Sequence, residues 1–152
     1  MLLEEALQTG VVAALLADDR LRAISAACTA DGVPKVFDTP PLDANGKMAG
    51  TFPYITVGTV QVIPDLDTAD DQVCIEDAEA FVTLDVWSRY KSGVECKQIG
   101  AAVAKCLTRA IALPGGWAVV VHECVTRLYP PRESDGLTRH GVLTFRYEIE
   151  AS

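Results

Sequence analysis

His122 and Cys124 stand two apart in a stretch rich in valine. On an extended strand such a pair points to one face, where an imidazole and a thiol could share a metal or act as a nucleophile and its base. Two ligands do not close a zinc site, and no carboxylate is placed by the sequence to orient the imidazole. The plainer reading is the packing of a strand face. A second cluster is acidic: Asp65, Asp67, Asp70, Asp71, Glu76, Asp77 and Glu79 crowd one region. Counted from Asp65, acids fall at positions 1, 3, 7 and 12 of a possible calcium loop. The match fails at position 6, where Asp70 replaces the glycine that makes the sharp turn, and position 5 is Ala69. A solvated acidic loop is the better reading, its like charges repelling one another unless a partner neutralises them.

The familiar catalytic signatures are missing. The chain has no G-x-S-x-G, no G-x-x-x-x-G-K-[ST], no H-E-x-x-H and no G-x-G-x-x-G after a strand. The reading is therefore no enzyme, no cofactor and no required metal. Positive charge gathers in the segment PPRESDGLTRHG, Pro130 to Gly141, which brings Arg132, Arg139 and His140 together. Asp135-Gly136 is a turn signal, so this segment reads as the projecting tip of a long β-hairpin.

The elements that must position these residues follow from periodicity. Residues 3–17 read as an amphipathic helix, with Leu3, Leu7, Val11 and Leu15 along one face and Glu4 and Glu5 in the first turn. Asp18 offers an N-cap for a shorter helix through Leu21 and Ile24 to about Ala27. Thr29 to Gly50 reads as loop, apart from a short strand at Val36 and Phe37. Strands are expected at Tyr54 to Ile63, Phe81 to Ser88, Trp117 to Tyr129 and Val142 to Glu150. The third should carry Val119, Val121 and Val125 on one side. The last alternates most cleanly, with Leu143, Phe145, Tyr147 and Ile149 facing one way. Between the second and third strands, Ser92 and Glu95 match a capping box ahead of Ile99, Val103 and Leu107, and Pro114, Gly115 and Gly116 should stop that helix. Its alanines at 101, 102, 104 and 110 keep it slim enough to lie close on a sheet. The expected fold is α+β: two main helices packed on a mostly antiparallel, roughly four-stranded sheet with a long C-terminal hairpin, as one domain over 1–152.

Composition bounds the function. The chain has 152 residues, 49% of them hydrophobic, and a formal charge of −8. That length suits one core and that apolar fraction excludes intrinsic disorder. The acidity argues against gripping nucleic acid by bulk charge. Glu4 and Glu5 spoil a basic signal-peptide start, and no apolar run approaches the ~20 residues that span a bilayer, so neither secretion nor a membrane is expected. The five cysteines, Cys28, Cys74, Cys96, Cys106 and Cys124, include no C-x-x-C pair and read as reduced thiols.

Four segments together resemble the tail-terminator (tail-completion) proteins of long-tailed phages and gene transfer agents: EEALQTGVVAALLADDRLRA, FPYITVGTVQVIPD, VTLDVWSRYKSGVECKQIGAAVAKCL and SDGLTRHGVLTFRYEIE. They cover most of the chain in the family's order. The most specific pieces are LDVWSR running into the helix and DGLTRHGVLTFR opening the last strand. The acidic insert from Asp65 to Asp77 is less typical.

The resemblance implies a structural virion protein at the head–tail interface, assembled in the host cytoplasm. Such proteins form a six-membered ring on the last ring of tail-tube protein, end tube growth and meet the head-completion (neck) proteins. DNA would pass through the lumen without specific binding, since a negative ring repels phosphate. A closed ring needs two different, complementary surfaces. The charges available are Asp65, Asp67, Asp70 and Asp71 on one side, and Arg132, Arg139, His140 and Arg146 on the other. Three other readings stand beside this one: a head-proximal connector, a small enzyme using His122 and Cys124, and a calcium-binding module built on the acidic loop.

Overall fold

A computed structural model describes residues 1–40, 44–46, 52–64, 77–109 and 111–151. Helix α1 spans Leu3–Leu16, and Leu7, Val11 and Leu15 are fully buried, as their spacing requires. Its last turn is held from outside: Arg22 Nε donates to the Leu16 carbonyl at 2.9 Å, and Cys106 Sγ donates to that of Ala14 at 3.4 Å. Asp18 caps the next helix as expected, accepting from the Leu21 amide at 3.0 Å. That helix, α2, covers only Asp19–Arg22, and the expected continuation to Ala27 is instead a separate 3₁₀ turn, Ser25–Ala27. The break falls at Ile24, whose φ of −90° and ψ of 87° leave the helical region.

Five strands form one sheet: β1 (Val36–Phe37), β2 (Tyr54–Pro64), β3 (Asp77–Ser88), β4 (Trp117–Leu128) and β5 (Arg139–Ala151), in the order β1-β2-β3-β5-β4. β1 runs parallel to β2; every other pair is antiparallel. The α+β class holds. The β3–β5 ladder is unbroken from Asp77↔Glu150 to Ser88↔Arg139. Its inward residues, Ala80, Val82, Leu84 and Val86 against Leu143, Phe145, Tyr147 and Ile149, form the centre of the core. β3 starts upstream of the expected Phe81 because Ala78 and Ala80 continue the inward face, where alanine gives little β signal.

Helix α3 (Val94–Leu107) packs over β3, β4 and β5, while α1 lies beside it over β1 and β2. Ile99, Val103 and Leu107 are fully buried. The expected capping box does not form: Ser92 Oγ takes the Val94 amide at 3.4 Å, and Glu95 turns away to accept from the Ser88 hydroxyl at 2.7 Å. The helix ends well before Pro114, because Tyr147 and Thr108 satisfy its last carbonyls. Tyr147 Oη donates to Leu107 at 2.9 Å and Thr108 Oγ1 to Ala104 at 2.7 Å. Close approach is possible at Gly100, where a Cβ would stand 2.0 Å from Tyr129 Oη. Gly141 on β5 takes the same ring, a Cβ there standing 2.9 Å from Tyr129 Cε1. Two glycines therefore form the seat of one tyrosine.

Candidate assembly surfaces

One face of the sheet carries the helices; the other is the polar face. β3 presents Asp77, Glu79, Phe81, Thr83, Asp85 and Trp87 there, and β5 answers with His140, Val142, Thr144, Arg146, Glu148 and Glu150. Like charges meet directly across the ladder, Asp77 opposite Glu150 and Glu79 opposite Glu148. Such pairs are unfavourable unless a cation intervenes. Arg146 intervenes. Its guanidinium bonds Glu79 on β3 at 2.9 Å, Glu123 on β4 at 3.2 Å and Glu148 on its own strand. Hydrogen bonds to Glu148 and Glu79 raise the Arg146 pKa further above its ordinary value.

At the other end of the same face, His140 lies flat on Trp87, with ring centroids 3.9 Å apart and planes 6° from parallel. Its Nε2 is 2.6 Å from Asp85 and its Nδ1 3.3 Å from Glu133. The Trp87 indole donates to Thr56 Oγ1 at 3.1 Å on the next strand. His140 is thus fixed by three neighbours, Trp87 and Asp85 on β3 and Glu133 in the hairpin.

The hairpin tip is built around Asp135. Its carboxylate accepts from the amides of Leu137 and Thr138, both at 2.8 Å, and from the Thr138 hydroxyl at 2.6 Å. Those bonds, led by the Thr138 hydroxyl, hold its pKa down to about 2. Gly136 supplies the φ of +70° that the turn needs. Arg132 reaches back to the carbonyls of Lys91 at 3.0 Å and Gly136 at 3.4 Å. Arg139 is partly buried, and its Nε finds no hydrogen-bond partner among the described residues.

Of the eight residues singled out as contact candidates, Asp65, Asp67, Asp70 and Asp71 lie outside the described residues. Arg132, Arg139 and His140 come together near the hairpin, while Arg146 sits apart, deep in the acidic end of the sheet. Acid and base therefore meet within the chain at Glu79 and Arg146.

The side-by-side arrangement expected of β4 is corrected by two bulges, between Val119 and Val121 and between Cys124 and Thr126. Val119 and Cys124 pack toward the core, but Val121 and Val125 are 37% and 47% exposed. Each bulge advances the alternation by one residue, which throws the intended valine stripe onto both faces. His122 and Cys124 do share the helix-covered side, opposite Tyr147 and Phe145. Burial pushes the Cys124 thiol pKa up, the wrong direction for a nucleophile. Among the described residues, no three His, Cys, Asp or Glu side chains group closely enough to hold a metal ion. No helix among them is long and apolar enough to cross a membrane.

Comparison with protein families gives a match to the model described as tail completion protein gp17, over residues 9–150. The chain belongs to the tail completion protein gp17 family. It is a structural phage tail protein, and its place is in the virion tail. A chain from the solved structure titled "Virion of native gene transfer agent (GTA) particle" shares the fold. Its TM-score is 0.71 at 23% identity, covering 97% of this chain and 96% of that one. Comparison with curated proteins gives no match.

Sequence reading singled out His140 and Arg146 but missed the side chains they pair with on the polar face. The Trp87–His140 stack and the Arg146 cluster are cross-strand pairs, visible only once the β3–β5 register is known. The available signal was the strict alternation of Thr144, Arg146, Glu148 and Glu150, which marks them as one exposed set.

Proposed function

We propose that this tail completion protein caps the tail tube as a ring of six copies, ends tube growth and forms the joint to the neck proteins. The family match over residues 9–150 carries this reading. One feature of the fold supports it. The polar face of the sheet is predominantly acidic, with Asp77, Glu79, Glu123, Glu148 and Glu150 at the Arg146 end and Asp85 at the His140 end. Lining a channel with that face would let DNA slide past without sticking, because phosphate is repelled. The chain acts as a scaffold rather than a catalyst, as a single domain that needs no metal or cofactor. Arg132, Arg139 and His140 at the hairpin, with the acids from Asp65 to Asp71, contribute to contacts with the neighbouring subunit or the tube.

Negative-stain imaging of the purified chain, alone and mixed with polymerised tail-tube protein, tests this. Rings at tube ends and arrested elongation are expected. Tubes that elongate unchanged, with no particle at their ends, would overturn it. Higher salt should slow capping, since exposed charges are screened over ~8–10 Å.

A further inference from the structure

A ring built from one chain needs a different surface at each end of the subunit, because each contact is head to tail. The fold offers two such surfaces. β4 is the outermost described strand on one side of the sheet, whereas α1 packs over β1 and β2 at the opposite side. Between β4 and α3 runs a cleft of about 410 Å³, floored by Ala101, Ala104 and Cys124 and edged by the exposed Val125. Its rim is basic: Lys105 from the helix and Arg127 from the strand, both exposed. The small residues keep α3 slim here, which leaves the cleft open between helix and strand. On α1, the outer side carries Ala13 and the half-buried Leu16, with Gln8, Thr9 and the exposed acid Glu5 along the same strip, while Val12 at its margin packs partly against the core.

We propose that the α3–β4 cleft of one subunit receives the outer side of α1 from the next copy of the chain. Ala13 and Leu16 enter against Ala101, Ala104 and Cys124, and Glu5 meets the Lys105–Arg127 rim. The pairing sets small apolar side chains on both surfaces against one another and an acid against a basic rim. Neither surface can pair with itself in this way, since like charges would meet. The contact is therefore heterologous, and repeating it either closes a ring or runs on as a filament. It also explains why the bulge residue Val125 is apolar at an exposed position. The inference rests on the ring reading and names the surfaces that build it.

A charge exchange tests it with the full chain. Arg127→Glu and Glu5→Arg are made singly and together, and assembly is followed by sedimentation and negative-stain imaging with and without polymerised tail-tube protein. Each single reversal should raise the concentration needed for half-assembly about tenfold, and the double exchange should recover most of that loss. The thermal transition should stay near that of the parent for Arg127→Glu, whereas Glu5→Arg also loses the bond from the Leu2 amide at the start of α1 and melts lower, so assembly of the variants is compared well below that melt. Val125→Asp should also prevent assembly without unfolding the chain. Rings that form equally well in every variant, or single reversals that the double exchange does not rescue, would overturn the inference while leaving the ring reading intact. Rings that persist while tube capping is lost would assign the cleft to the tube instead, and would also overturn it. A parent chain that gives neither rings nor capped tubes would overturn the ring reading itself.

Discussion

Tyr147 joins the sheet to the end of α3 through one hydroxyl. It is fully buried, and burial raises its pKa above the usual tyrosine value, so it remains a neutral donor to Leu107. Tyr147→Phe keeps the ring and removes only the donor, leaving a buried carbonyl unpaired. The expected loss is ~1–2 kcal/mol, read as a lower urea midpoint with an unchanged slope. Asp135 supplies a case where pH is the measurement. Its pKa falls from an ordinary 3.8 to about 2, so the folded tip favours the ionised form. A group depressed in this way stabilises fully above its unfolded pKa and loses that contribution as pH falls through the folded one. The tip should therefore hold down to about pH 4 and loosen toward pH 2. The side-chain carbonyl resonance of Asp135 would follow this directly, and a midpoint near 4 would contradict it. At this scale the sequence revealed the turn at Asp135-Gly136 and the outward direction of Arg146. It could not reveal Arg146's partners, because they come from three strands far apart in the chain.

Gly100 shows two effects on one helix pulling in opposite directions. Replacing a mid-helix glycine with alanine ordinarily stabilises by ~1 kcal/mol. Here the added Cβ would stand 2.0 Å from Tyr129 Oη and 2.9 Å from Cζ, so either the tyrosine or the helix must move. Overpacking of this kind costs ~1–3 kcal/mol, and the clash should win. Gly100→Ala is expected to lower the melting temperature, and adding Tyr129→Phe, which removes the nearest atom, should recover part of the loss. A gain in stability from Gly100→Ala alone would show that Tyr129 swings away freely. Strand β5 was legible residue by residue, since one buried and one wet face impose strict alternation. β4 was located correctly but its faces were misread, because a bulge leaves no mark in a run of valines. The capping box failed for a related reason: a local motif offered Glu95 one partner, and the Ser88 hydroxyl offered another.

For the whole molecule, the layered arrangement of helices on a sheet was legible because three periodic segments, α1, α3 and β5, meet in one core. Val103 and Leu107 lie where those layers touch. Val103→Asp or Leu107→Asp would bury an unpaired charge, a loss expected to exceed ~4 kcal/mol against a typical total of ~5–15 kcal/mol. Circular dichroism should show no cooperative melt, and a transition near the parent temperature would contradict the placement. The strand order was not legible. A parallel two-residue β1 and the insertion of β5 between β3 and β4 depend on long-range pairing that periodicity does not encode.

The Arg146 cluster has a consequence for inheritance. One cation serves Glu79, Glu123 and Glu148, so a lineage that loses it leaves several carboxylates crowded on neighbouring strands. Loss of an acid alone leaves Arg146 with other partners and is tolerated; loss of the arginine alone is not. Substitution should therefore be ordered in time. The acids drift to neutral residues first, and the arginine follows only when too few remain to need it. Arg146→Gln should accordingly be better tolerated in a Glu79→Gln, Glu148→Gln background than in the parent chain.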